Sequence, residues 1–149
     1  VETSVTARDS SLELAALPNA VGLARRHTAA LLTEWSVAPA VIEAAVLLVS
    51  ELATNAVPRG PGSARRLTYP ELGGVRCFRL RLRMKPDGSG LLIEVRDNNP
   101  GAPQRKAASP DAESGRGLFI VEALSRDWGY SLDGPFKTVW CEMECAIAS

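Results

Sequence analysis

Between Pro39 and Val57 the chain carries a stretch that is apolar over most of a helical circumference, with Val41, Ile42, Ala45, Val46, Leu48, Val49 and Leu52 spread around it. A surface helix confines its apolar residues to one stripe, so a helix that is greasy on most sides has to be sandwiched between other elements. Pro39 fits the first turn, where a missing N–H costs nothing, and Pro58, Gly60, Pro61 and Gly62 forbid continuation. Polar groups inside such a helix are expensive unless something answers them, which draws attention to Glu51 and Asn55.

The rest of the chain supplies the enclosing layers. Residues 1–10 are polar and expected to fray, and Ser11 to Ala15 alternates as a short half-buried strand does. Pro18 opens a helix over 19–35, along which Val21, Ala24, Thr28, Leu31, Leu32 and Trp35 recur at helical spacing. Residues 76–84 place Phe78, Leu80, Leu82 and Met84 on one face and Arg79, Arg81 and Arg83 on the other. After a turn at Pro86-Asp87-Gly88-Ser89-Gly90, Leu91, Ile93 and Val95 alternate with Leu92, Glu94 and Arg96 in an antiparallel partner. Glu94 across from the arginine row makes a charged outer sheet surface, with a docking patch for a protein partner as the rival reading. Residues 98–115 form a long loop, Gly115-Arg116-Gly117 leads into a helix through Leu124, and Trp128 to Leu132 and Thr138 to Ile147 read as strands. This order predicts an α+β fold, a two-layer α/β sandwich with helices on one face of a mostly antiparallel, mixed sheet. At 149 residues it is expected to be a single domain over 11–147.

Composition removes several classes of function. Lys plus Arg (17) equals Asp plus Glu (17), so no excess positive field holds a phosphate backbone, and direct nucleic-acid binding is not expected. The longest unbroken apolar run, Ala44 to Val49, is far short of the roughly 20 residues that span a bilayer. With no signal pattern at the N-terminus, a cytoplasmic protein without a membrane partner is expected. The three cysteines lack metal spacing and are odd in number, which argues against a disulfide framework. Cys141 and Cys145 read as small hydrophobes of a late strand, and His27, with no second His or Cys near it, carries no role.

Three features carry chemistry. Glu51 and Asn55 are four apart, so they project from one side of their helix and can grip a common object. An amide oxygen suits Mg²⁺, and a carboxylate one turn away contacts bound water or accepts a proton; the plainer alternative is a capped or surface-paired helix end. Asp97 continues the inward parity of Leu91, Ile93 and Val95, where a charge requires a partner. A purine amino group answers that need and favours adenine over guanine; a turn Asp bonding its own backbone in Asp97-Asn98-Asn99-Pro100 is the alternative. Gly115-Arg116-Gly117 at a helix start offers backbone N–H groups to an anion, or is an ordinary loop end; it is neither a Walker loop nor a Rossmann fingerprint.

Taken together, Glu51-Leu52-Ala53-Thr54-Asn55-Ala56, Val95-Arg96-Asp97-Asn98-Asn99-Pro100 and Gly115-Arg116-Gly117-Leu118-Phe119-Ile120-Val121 resemble the N, G1 and G2 boxes of the GHKL (histidine kinase-like) ATPase superfamily. Within it the chain is similar to stand-alone anti-sigma-factor serine/threonine kinases of actinobacteria, from Leu12 to Glu144, with Trp128-Gly129 and Lys137-Thr138-Val139-Trp140 also fitting. The resemblance implies a Bergerat-type ATP-binding fold in which Asn55 binds Mg²⁺ between ATP phosphates and Asp97 receives the adenine amino group. Gly115, Arg116, Gly117 and Leu118 would form the phosphate-binding end of an ATP lid over 98–117, and Thr138 would support the adenine site. Glu51 would be the general base, taking a proton from a Ser or Thr of an anti-anti-sigma (STAS-type) protein. A sigma factor as second partner and a homodimer are further implications. The chain departs from the family's pattern at Pro58-Arg59, in the long segment 60–75, and at Phe136, where a bulky ring is expected to tighten the adenine end. These departures keep open a non-catalytic, partner-binding regulator with weak or no ATP turnover.

Overall fold

Alternation builds the sheet, and the sheet then sets where everything else can lie. The computed structural model describes residues 8–57, 76–98 and 117–145. In chain order it contains β1 (Asp9–Ala15), α1 (Ala20–Glu34), α2 (Pro39–Ala56), β2 (Cys77–Met84), β3 (Gly90–Asp97), α3 (Gly117–Leu124), β4 (Asp127–Asp133) and β5 (Phe136–Glu144). The five strands lie in the order β1-β2-β3-β5-β4, and every described pairing is antiparallel. Phe78, Leu80 and Leu82 of β2, Leu91, Ile93 and Val95 of β3, and Val139 and Cys141 of β5 point to one buried face. Among the described residues, helices cover that face and none lies on the other, the α+β sandwich that the periodicity requires.

The apolar helix is enclosed as its composition demands. α2 touches β2, β3 and β5 below it and both other helices beside it. Ala45, Leu48, Val49, Leu52, Ala53 and Ala56 are buried in these contacts. By length and composition alone α2 could cross a bilayer, but one side of it packs on the sheet, α1 and α3, while Leu47 on another side is exposed. Burying a Leu such as Leu48 or Leu52 is worth about 1.5–3 kcal/mol, so this helix is a main source of cohesion.

Element ends differ from expectation where long-range pairing intervenes. β1 begins at Asp9, inside the segment expected to fray, because Asp9 is the register partner of Arg83 and its carboxylate accepts from Arg81 Nε at 3.0 Å and Nη2 at 2.8 Å. The Arg81 hydrogen bond holds the Asp9 carboxyl below its ordinary range. β5 begins at Phe136, two residues early, because Asp133 and Phe136 are register partners across a tight turn in which Gly134 takes φ 59°. It ends at Glu144, and residues 146–149 lie outside the described residues. Gly129 of β4 is fixed by a close approach: a Cβ there would stand 2.9 Å from the Trp140 ring.

α1 stops without a glycine. The Ser36 N–H donates to the Thr33 carbonyl and the Val37 N–H to the Leu32 carbonyl, both at 3.0 Å, while Ser36 is held at φ 60°. This is the Schellman pattern with a side chain in the left-handed region, where a Cβ costs roughly 1–2 kcal/mol. Ser36→Gly is therefore expected to stabilise the protein by about 0.5–1 kcal/mol, read from urea denaturation. The cysteines give a second expectation. Cys77 is exposed, while Cys141 and Cys145 are buried, and burial pushes the Cys141 thiol up to about 12. A thiol reagent at pH 8 should modify Cys77 rapidly and the other two only as fast as the protein unfolds. Because the folded value of Cys141 lies above the ordinary one of about 8.5, its contribution to stability is complete below that pH and is lost as pH rises towards about 12.

Candidate nucleotide-binding site

The central strand β3 ends on a carboxylate. Its inward residues Leu91, Ile93 and Val95 are fully buried, and the next inward position is Asp97, 3% exposed. Sheet parity alone brings the charge inside. The structure answers it from the neighbouring strand: Asp97 and Lys137 are register partners in the β3–β5 pairing, and Lys137 is itself only 5% exposed. Lys137 Nζ stands 4.0 Å from Asp97 Oδ1, an ion pair at a separation too long for a direct hydrogen bond. Both groups make further polar interactions. A charge so far from water is retained only with such compensation, so the pair is a considerable commitment of the fold.

Glu51 and Asn55 lie on the last turns of α2, both half-buried, and each is already engaged in a polar interaction. Between them the Thr54 hydroxyl donates to the Ser50 carbonyl at 2.6 Å and so stays within its own helix. α2 packs against β3 and against α3, which begins at Gly117 and Leu118. It is thus the common neighbour of the strand that ends in Asp97 and the helix that Gly117 opens. Gly115, Arg116 and most of the expected lid over 98–117 lie outside the described residues, as do Pro58 and Arg59.

The register of β5 sets the faces of two further residues. Thr138 pairs with Arg96 and Ser131, not with Asp97, so it belongs to the bare outer face of the sheet and not to the face that holds the carboxylate. The inward residue at that level is Lys137, whose parity with Val139, Cys141 and Met143 was available in the sequence. Phe136 shares the outer parity, and the Arg96 guanidinium lies 4.3 Å from its ring centroid. The ring therefore stacks under a cation on the outer face and does not crowd the end where Asp97 sits.

That outer face holds a shallow concavity of about 150 Å³, lined by Glu13, Cys77, Arg79, Arg96 and Phe136. Arg79 and Arg96 are register partners, a like-charge pairing, and Arg96 also reaches Asp133 at 3.6 Å. Arg81 reaches Glu94 at 3.9 Å besides Asp9, so the middle of the arginine row is matched by acids of both neighbouring strands. By parity this concavity is separated from Asp97 by the thickness of the sheet.

The donor set fits an adenine nucleotide in kind. A desolvated carboxylate accepts from an exocyclic amino group, and the Asn55 amide can offer one hard oxygen to Mg²⁺. Among the described residues no three His, Cys, Asp or Glu side chains cluster as a metal cage. A Mg²⁺ ion here would draw its other ligands from phosphates and water, as that ion commonly does.

The comparisons with known proteins agree with this fold. The family model for the histidine kinase-like ATPase domain matches residues 14–142. Among solved structures, the RsbU and RsbW domains of Rv1364c from Mycobacterium tuberculosis share the fold at TM-score 0.61 and 17% identity. The likeness covers 93% of this chain and 34% of that one, so this chain corresponds to about a third of it. No curated protein matches the chain in sequence.

The buried pair generates a stability expectation. Asp97→Asn or Lys137→Met alone removes an opposite charge 4.0 Å from a buried ion and should cost about 3 kcal/mol or more. The double variant should cost much less than the sum, since the pair removed as a unit takes its own desolvation penalty with it. Urea denaturation of the four proteins measures the coupling.

Proposed function

The chain belongs to the histidine kinase-like ATPase domain family, and from that membership we propose that it is an ATP-binding regulator acting as an anti-sigma-factor serine/threonine kinase. Its substrate is a Ser or Thr hydroxyl on an anti-anti-sigma (STAS-type) protein, and its second partner is a sigma factor. The observation that carries this reading is Asp97, an acidic acceptor buried at the end of the central strand beside the helix that bears Glu51 and Asn55. The fold shared with the RsbU and RsbW domains of Rv1364c supports it. Three free cysteines suit a reducing, cytoplasmic setting.

In this reading Asp97 accepts from the adenine amino group, and Asn55 contributes its amide oxygen to Mg²⁺. Backbone N–H groups from Gly115 to Leu118 receive phosphate oxygens. ATP supplies the phosphoryl group. Glu51 takes the proton from the attacking hydroxyl, which its half-buried place one turn before Asn55 allows. The resemblance gives Thr138 a supporting role at the adenine site, while the register of β5 pairs it with Arg96.

A second reading, a regulator that binds partners without phosphotransfer, is favoured by Pro58 and Arg59, which come just after Val57, the residue that caps α2. One assay separates the two. Incubated with Mg-ATP and its cognate anti-anti-sigma protein, the wild type should transfer phosphate, and Glu51→Ala should lose about 100-fold or more in rate while still binding ATP. Intact ATP binding with no wild-type transfer would leave the non-catalytic reading.

A further inference from the structure

We propose that the outer face of the sheet docks an acidic segment of a protein partner, with one carboxylate of that segment seated in the concavity between Arg79 and Arg96. This stands apart from the ATP-binding reading, since the sheet itself separates the outer residues of β2 and β3 from Asp97. The register of the strands builds the seat. Arg79 of β2 and Arg96 of β3 are partners across the sheet, and the concavity of about 150 Å³ that they line is completed by Glu13, Cys77 and Phe136. Like charges opposed on one face are unfavourable in themselves, and a carboxylate between the two guanidinium groups replaces that repulsion with charge-assisted hydrogen bonds. Arg96 is already oriented for this, by the Phe136 ring 4.3 Å from its guanidinium and by Asp133 at 3.6 Å.

Charge complementarity identifies the occupant. Arg81, in the middle of the row, is taken by Asp9 and Glu94. Arg79 and Arg83 are exposed on either side of it, and neither forms an ion pair with a described residue, although Glu13 and Asp9 are their register partners on β1. The lining of the concavity thus sets two guanidinium groups against the single carboxylate of Glu13. A nucleic-acid backbone does not suit this face: Asp9, Glu13, Glu94 and Asp133 share it with the arginines and repel a continuous run of phosphates, and the chain as a whole has no net charge. A protein segment places its carboxylates singly and can set them against Arg79 and Arg96 alone. Phe136, 40% exposed beside the guanidinium groups, gives such a segment an apolar contact, and arginine with an aromatic ring is the pairing enriched at protein interfaces.

The test titrates the isotope-labelled full chain with acetyl-hexaglutamate amide, and separately with the uncharged acetyl-hexaglutamine amide, at low ionic strength, following backbone and guanidinium resonances by NMR. Saturable shifts are expected at Cys77, Arg79, Arg96 and Phe136 with the glutamate peptide and none with the glutamine peptide. Arg79→Gln and Arg96→Gln should each weaken binding about fivefold, the effect of losing one exposed charge pair. Arg25→Gln, at an exposed position of α1 on the covered side of the sheet, should change it by less than about a factor of two. The dispersion of each spectrum reports that the variant is folded. No saturable shift at the concavity, equal shifts with the glutamine peptide, or equal weakening by Arg25→Gln would overturn the proposal. So would a dimer in sedimentation velocity that Arg79→Gln dissociates, which would give the face to a second copy of this chain.

Discussion

The enclosure of α2 is the constraint on which the rest depends. A helix apolar on most of its surface is stable only if a sheet, a second helix and a third all lie against it, and β2, β3, β5, α1 and α3 do so. That enclosure selects the topology. The sheet must offer a continuous apolar face, which β2, β3 and β5 provide through strict alternation, and both neighbouring helices must come to the same side. It also decides where function can be placed, because the polar residues near the end of α2 are brought to the central strand and to α3 by the same contacts that bury Leu48, Val49 and Leu52.

The chemistry exploits a second consequence of burial. Asp97 at the end of β3 is buried, so it is a costly group unless it is answered. Lys137 answers it from β5 at 4.0 Å. The outer face shows what the same residue types do where water is available: Arg81 takes Asp9 and Glu94, and Arg96 takes Asp133 and stacks on Phe136. Exposed pairs of that kind are worth ~1 kcal/mol at most, whereas breaking a buried pair such as the inner one costs several times that.

Much of this was legible in the sequence, and the limits have physical causes. Period-3.6 and period-2 patterns are local, so α1, α2, β2 and β3, and the inward turn of Asp97, follow from residues near one another. The start of β1 at Asp9 depends on Arg81 and Arg83, more than 70 positions away, and no local pattern carries such a pairing. Lys137 was within reach. Its parity with Val139, Cys141 and Met143 marks it as inward, but a lysine is ordinarily a surface residue and the adjacent Thr138 hydroxyl resembles a site group more closely. Phe136 takes the opposite parity from Lys137, since stepping one position along a strand exchanges the faces.

The central claim is that Asp97, beside α2 and opposite Lys137, forms the base end of an adenine-nucleotide site. Calorimetric titration of wild type and Asp97→Asn with ATP, with and without Mg²⁺, tests it most directly. The account predicts saturable wild-type binding that weakens when Mg²⁺ is withdrawn and is lost in Asp97→Asn. No wild-type binding at millimolar ATP, or equal binding by the two proteins, would contradict it.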